Sequence, residues 1–145
     1  MTDYSDVVLV EDNYHDIEMI KDALNDTGEK ISIWVFRDGA DAAQFFFNPE
    51  SSFRSNNTQP PGLILLDLKI PKISGLELLK RLKSDEKTKN IPVVIFTSSN
   101  EASDRRAGYQ YGANSYLVKP LDADIFSDHI RKIINYWIVM NQNAT

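Results

Sequence analysis

Asp67 closes the apolar run Leu63-Ile64-Leu65-Leu66, and three further apolar runs end in residues suited to phosphate and divalent cations. Val7 to Val10 gives way to Glu11 and Asp12, Pro92 to Phe96 to Thr97, and Tyr116 to Val118 to Lys119 with Pro120 behind it. Carboxylates are hard oxygen ligands for a cation such as Mg2+, and a hydroxyl and an ammonium donate hydrogen bonds of the kind a phosphoryl oxygen accepts. In an open α/β sheet the carboxyl ends of parallel strands form one crevice, so residues distant in sequence meet there. Three carboxylates, a hydroxyl and an ammonium would then share one small pocket.

The elements that must position them are legible from periodicity. Val7 to Val10 is short and rich in β-branched residues, as expected of a strand buried on both faces. Ile17, Ile20 and Leu24 then repeat at helical spacing, polar Asn25 to Lys30 with Gly28 supplies a stop, and Ile31 to Phe36 reads as a second strand. Asp38-Gly39 makes a turn into a second helix over Ala40 to Phe47. Asn48 to Pro61, with its prolines and its Ser, Asn and Gln, predicts an exposed loop with no packed element, longer than the ~2 to 6 residues usual in α/β units.

Leu63 to Leu66 is the third strand, and Leu76, Leu79 and Leu82 form a helical stripe after Gly75 that ends in charged Lys83 to Lys89. Val93 to Phe96 is the fourth strand. Glu101 to Tyr111 predicts a fourth main helix, weakly amphipathic and loosely docked, stopped at Gly112. Tyr116 to Val118 gives the fifth strand, and Asp124 to Asn141 a long last helix with Phe126, Ile130, Ile133 and Trp137 on one stripe. Five βα units in strict alternation imply an α/β fold with a doubly wound, five-stranded parallel sheet.

Composition bounds the rest. A chain of 145 residues fits one domain and leaves no room for a second, so no output domain is expected and the domain core runs from about residue 6 to 141. Its net charge of −5 argues against nucleic acid as a partner, which needs clustered Lys and Arg. The absence of Cys excludes thiolate metal sites and cysteine nucleophiles. The acidic start Met1 to Asp6 lacks an apolar signal core and no run approaches the ~20 apolar residues that span a bilayer, so a cytoplasmic protein without a membrane partner is expected.

The set Glu11-Asp12, Asp67, Thr97 and Lys119-Pro120, in that order on a (βα)5 pattern, resembles the receiver domain of two-component response regulators. Pro71 and Gly75 after Asp67, small Ser98 after Thr97, and Tyr116 three before Lys119 agree with the same family, over nearly the whole chain. The resemblance implies a flavodoxin-like receiver fold and a phosphoacceptor rather than a turnover enzyme, one that assists its own Mg2+-dependent phosphorylation and dephosphorylation. Asp67 would take the phosphoryl group of a phosphohistidine on a sensor histidine kinase or phosphotransfer protein. Asp12 and Asp67, with the backbone carbonyl of Lys69, would hold Mg2+, and Glu11 would act through one of its waters. Many members carry two aspartates where this chain has Glu11-Asp12, so the mild departure at Glu11 bears on the inner-shell role alone. Lys119 would contact a phosphoryl oxygen, aimed inward by a cis peptide before Pro120. Thr97 would bond the phosphoryl group and Tyr116 would swing into the space so opened. Plainer roles exist for each residue taken alone: turn or helix capping for Glu11, Asp12, Asp67 and Thr97, solvation for Lys119, packing for Tyr116.

One contact cannot throw such a switch. A charged hydrogen bond contributes about 1.5 to 3 kcal/mol net, whereas moving an equilibrium from 1:99 to 99:1 takes about 5.5 kcal/mol. Lys69, two after Asp67, and Ser99, two after Thr97, stand at positions that in the family border the path of hydrolytic water, so Lys69 is a candidate for setting the lifetime of the phosphorylated state. Tyr136 to Met140 is apolar at five consecutive positions, where a one-sided stripe needs two or three. A homodimer or downstream protein is therefore expected on the face formed by the fourth main helix, the fifth strand and the last helix, including Tyr136 and Trp137. Phe45 to Phe47 reads as core and rim, and His15 and His129 as surface. The long loop before the third strand and the aromatic last helix resemble the single-domain receivers paired with bacterial phytochromes.

Rival chemistries fit less well. A dehalogenase-type phosphatase wants a second Asp two residues after its nucleophile, where Lys69 stands. A flavin binder of the same fold needs a Ser, Thr and Gly-rich phosphate loop after the first strand, and Glu11-Asp12 would repel that phosphate. A phosphorylation-independent adaptor, or pseudo-receiver, typically lacks the acid or lysine positions kept here.

Overall fold

The structure, a computed structural model, describes residues 5–55 and 59–144, so the acidic start before Ser5 and residues 56–58 of the long loop lie outside the described residues. The strands are β1 (Ser5–Val10), β2 (Ile31–Phe36), β3 (Leu63–Leu66), β4 (Val93–Thr97) and β5 (Ser115–Val118). They pair in parallel in the order β2-β1-β3-β4-β5, the doubly wound topology expected from the alternating pattern. The helices are α1 (Tyr14–Asp26), α2 (Gly39–Phe47), α3 (Ser52–Ser55), α4 (Gly75–Ser84), α5 (Ala102–Gln110) and α6 (Ala123–Ile134), and a π-helical turn, Asn135–Met140, continues α6.

Alternation along the central strands divides the core into two layers. Val8, Val10, Ile64, Leu66, Val93 and Ile95 face α2, α3 and α4. Val7, Leu9, Leu63, Leu65, Val94 and Phe96 face α1 and α6. All four residues of β3 are buried, which is why Leu63 to Leu66 is a continuous apolar run rather than an alternating one. At about 1.5 to 3 kcal/mol for each fully buried aliphatic side chain, this strand is a firmly anchored mount for whatever follows it.

Side-chain caps start four of the helices where their acceptors lie: Asn13 for α1, Asp38 for α2, Ser74 for α4 and Asp122 for α6. Helix α5 has no side-chain cap and buries Gly108 alone, in keeping with its sparse apolar face. Phe46 is fully buried while Phe45 and Phe47 pack at the edge of the same layer, and His15 is exposed and His129 half-buried.

Two expectations about the elements need correction. The segment Asn48 to Pro61 is not without packed structure: α3 lies within it, and Phe53 is 2% exposed, its ring 5.4 Å from Phe45 and 5.6 Å from Phe46. Arg54 fastens the turn by a 2.7 Å ion pair to Asp85, and Lys87 Nζ sits 4.5 Å over the Phe53 ring. One aromatic residue and two long cations dock a segment whose average composition is polar. The last helix, moreover, does not run as one α-helix to Asn141. It is α-helical to Ile134 and then widens, with the Asn141 N–H donating to the Tyr136 carbonyl at 2.7 Å, five residues back. Trp137 and Ile138 pack on the α1/α6 layer, while Tyr136, Val139 and Met140 remain exposed.

Candidate phosphoryl-transfer site

Strand register brings the acids together. Val10 pairs with Leu66, so Glu11 and Asp67 leave neighbouring strands side by side, and the Asp67 N–H donates to the Val10 carbonyl at 3.0 Å. This is the point where the winding of the sheet reverses between β1 and β3, the place where ligands bind in such folds. One oxygen from each of Glu11, Asp12 and Asp67 lies within 4.8 Å of the others. Glu11 and Asp67 are buried and Asp12 is the most open of the three. Neither Glu11 nor Asp12 caps α1, because Asn13 does so. Glu11 instead accepts from the Asn13 N–H at 3.1 Å, and the Asp12 carbonyl accepts from Arg37 at 3.1 Å.

Lys119 reaches this cluster from the far end of β5. Its N–H donates to the Thr97 carbonyl at 2.7 Å, which continues the β4–β5 ladder one residue past Val118. Its ammonium lies 2.7 Å from Glu11, 2.8 Å from Asp16 and 3.1 Å from Asp67, with the side chain 9% exposed. The cis peptide expected before Pro120 is not found: no peptide bond among the described residues is cis. The ladder hydrogen bond and three carboxylates direct the lysine inward without it.

The electrostatics follow from that packing. Burial and the neighbouring charge of Asp67 push the Glu11 carboxyl up to about 7, against the pull of Lys119. Burial alone would lower Lys119, but hydrogen bonds to Asp16 and Glu11 and the charge of Asp67 outweigh it and hold the ammonium above its ordinary value. The lysine stays charged throughout the physiological range. Asp16 is the one member of this constellation that the sequence did not single out. An acid in the first turn of a helix reads as an ordinary complement to the helix dipole, and nothing local reveals a partner 103 residues away.

Thr97 ends β4 fully buried, and its hydroxyl accepts from the Ser99 N–H at 3.4 Å. Ser99 is buried too: its hydroxyl donates to Asp104 at 2.5 Å and its carbonyl accepts from the Tyr116 hydroxyl at 3.0 Å. Tyr116 is half-buried against the α4 layer, and any inward motion of its ring starts from this bond. Lys69 is exposed, with its backbone N–H 3.3 Å from Asp67 Oδ1. Behind the site, Gly75 meets the Asp67–Leu68 backbone so closely that a Cβ there would lie 2.3 Å from the Asp67 carbonyl oxygen. Oxygen-only donors, one of them open to solvent, fit a hard cation that retains waters.

The model of the response regulator receiver domain matches residues 7–131. The chain belongs to the response regulator receiver family. Receivers of two-component signalling are phosphoacceptors, and this chain is one of them. It is 35% identical over 137 residues to the probable methanogenesis regulatory protein FilR2 of Methanothrix harundinacea, covering 94% of this chain and 86% of the relative. It is 32% identical over 132 residues to the response regulator Rcp1 of Synechocystis, covering 91% and 88%. The Mn2+-bound crystal structure of Rcp1 superimposes with a TM-score of 0.87 at 29% identity, over 97% of this chain and 99% of that one. The phosphorylated cyanobacterial phytochrome response regulator RcpA superimposes with a TM-score of 0.89 at 31% identity, over 98% and 99%. Among the described residues no helix of this receiver is long and apolar enough to cross a membrane.

Proposed function

We propose that Asp67 is the phosphoacceptor of this receiver, with Mg2+ held by Asp12, Asp67 and the Lys69 carbonyl and by Glu11 through water. The observation that carries the reading is the buried Lys119 ammonium 3.1 Å from Asp67 Oδ2, beside three carboxylates that share one small volume. When bound, the cation neutralises phosphoryl oxygens and brings them within reach of Asp67. An Asp67 oxygen forms the new bond to phosphorus as the bond to the donor imidazole breaks. Lys119 offsets the charge on the transferring group, and the Thr97 hydroxyl bonds it on arrival.

The switch follows from the loop after β4. Drawing Thr97 toward a phosphoryl group pulls on Ser99, which is bonded to both Asp104 and Tyr116. The change therefore reaches α5 and β5, and the surface of α5, β5 and α6 is the proposed output face. Exposed Tyr136, Val139 and Met140, with Trp137 beside them, extend it as a contact for a second copy or a downstream protein. A receiver that stayed monomeric at micromolar concentration, with and without phosphoryl, would rule out the second copy. Similarity to RcpA, a phytochrome response regulator, supports a phytochrome-type histidine kinase as donor.

Incubation with acetyl phosphate and Mg2+, followed by intact mass measurement, tests the central assignment. One phosphoryl adduct is expected on the native chain and none on Asp67→Asn. Equal labelling of the two, or none on either, would sink it.

A further inference from the structure

The Lys119 ammonium carries three N–H groups, and three carboxylates take them. Two of these, Glu11 and Asp67, belong to the group of acids that could hold a cation. The third, Asp16, does not. It stands on the first turn of α1, held there because its backbone N–H donates to the capping Asn13 side chain at 2.9 Å. Its carboxylate is 18% exposed, against 9% for the lysine it meets. It also lines the cleft between α1 and the turn after β5, with His15, Ser98, Lys119 and Pro120.

A divalent cation on Glu11, Asp12 and Asp67 draws on two of the carboxylates that the ammonium also holds, and the two positive charges repel. The lysine then needs a partner on the side away from the cation, and 2.8 Å is the length of a charge-assisted hydrogen bond to one. We propose that Asp16 is a positioning residue that draws the Lys119 ammonium toward α1 and so limits its competition with the cation for Glu11 and Asp67. This rests on the reading of those acids as a cation site. Without Asp16 the ammonium falls wholly on Glu11 and Asp67, and cation binding weakens.

Calorimetric titration of the whole chain with MgCl2 tests the idea. Asp16→Asn should raise the Mg2+ dissociation constant roughly three- to tenfold, part of one charge-assisted hydrogen bond expressed as an equilibrium. Asp16→Glu should restore most of the loss. In a Lys119→Met background the same Asp16→Asn change should move the constant by less than about twofold, because its effect runs through the lysine. Equal weakening in both backgrounds would make Asp16 merely a nearby charge and overturn the proposal. An unchanged constant in Asp16→Asn would also overturn it while leaving the cation site intact, provided Asp12→Asn abolishes binding. No Mg2+ binding by the native chain would overturn both readings together.

Discussion

Replacing Gly75 by Ala reports on how rigidly the fold mounts the proposed acceptor, Asp67. Gly75 begins α4 directly behind the site, and its N–H donates to the Leu68 carbonyl at 3.0 Å. An added Cβ would stand 2.3 Å from the Asp67 carbonyl oxygen and 2.6 Å from Leu68 Cα. Carbon atoms pack at about 3.5 Å or more, so the junction between β3 and α4 must open by about 1 Å. Both obstructing groups are backbone, and no rotamer change relieves them. Overpacking of this kind costs about 1 to 3 kcal/mol of stability, and a 1 Å displacement of a reacting group costs about 100-fold in rate. We therefore expect Gly75→Ala to unfold at lower urea and to acquire phosphoryl from acetyl phosphate about 100-fold more slowly, followed by intact mass over time. Gly108→Ala is the control, because its Cβ would meet the Ile95 side-chain tip at 2.8 Å and the Tyr116 ring at 3.3 Å, groups that can yield. A Gly75→Ala protein phosphorylated within about threefold of the native rate would refute the argument that close approach at Gly75 positions Asp67.

Three further outcomes follow from contacts outside the site. Lys83→Met keeps the apolar stem but removes donors to the Lys89 and Ile91 carbonyls and to Asn114, so urea unfolding should show a loss of about 2 kcal/mol. Phe53→Ala should cost about 3 kcal/mol, and hydrogen exchange should show the loss first in the amides of α3. Burial raises the Asp85 carboxyl, but Arg54 and the backbone N–H groups of Lys87 and Thr88 outweigh it and hold it below its ordinary value. The stability from Asp85 is thus present above the ordinary carboxylate range and is lost as pH falls through its folded value. Exchange at residues 51–55 should accelerate there, and Asp85→Asn should flatten that dependence.

The sheet and most of the candidate site are legible in the sequence because parallel strands deliver their ends to one edge. Four apolar runs placed Glu11, Asp12, Asp67, Thr97 and Lys119 at those ends, and the register of β1 with β3 brings the acids into contact. What stayed hidden depends on partners rather than on local pattern. Phe53 is a single aromatic in a polar segment, and its burial is set by Phe45, Phe46 and Lys87 from other elements. Asp16 looks like any acid at a helix start until Lys119 is beside it. The π turn was invisible because Tyr136 to Met140 is apolar at every position, which leaves no periodicity to change.

The half-buried Lys83 has a mechanical consequence. Its ammonium ties the end of α4 to the entry of β4 through Ile91 and to the entry of β5 through Asn114, whose side chain also accepts from the Val93 N–H. A Cβ on Gly112 would stand 2.9 Å from the stem of Lys83, so the segment just past the carboxyl end of α5 is braced as well. The upstream ends of β4 and β5 and the downstream end of α5 thus share one fulcrum. Thr97, Ser99 and Asp104 lie at the opposite ends of those elements. If phosphorylation pulls at Thr97, α5 is expected to turn about its carboxyl end, with hydrogen exchange changing most near Ala102 and least near Gly112.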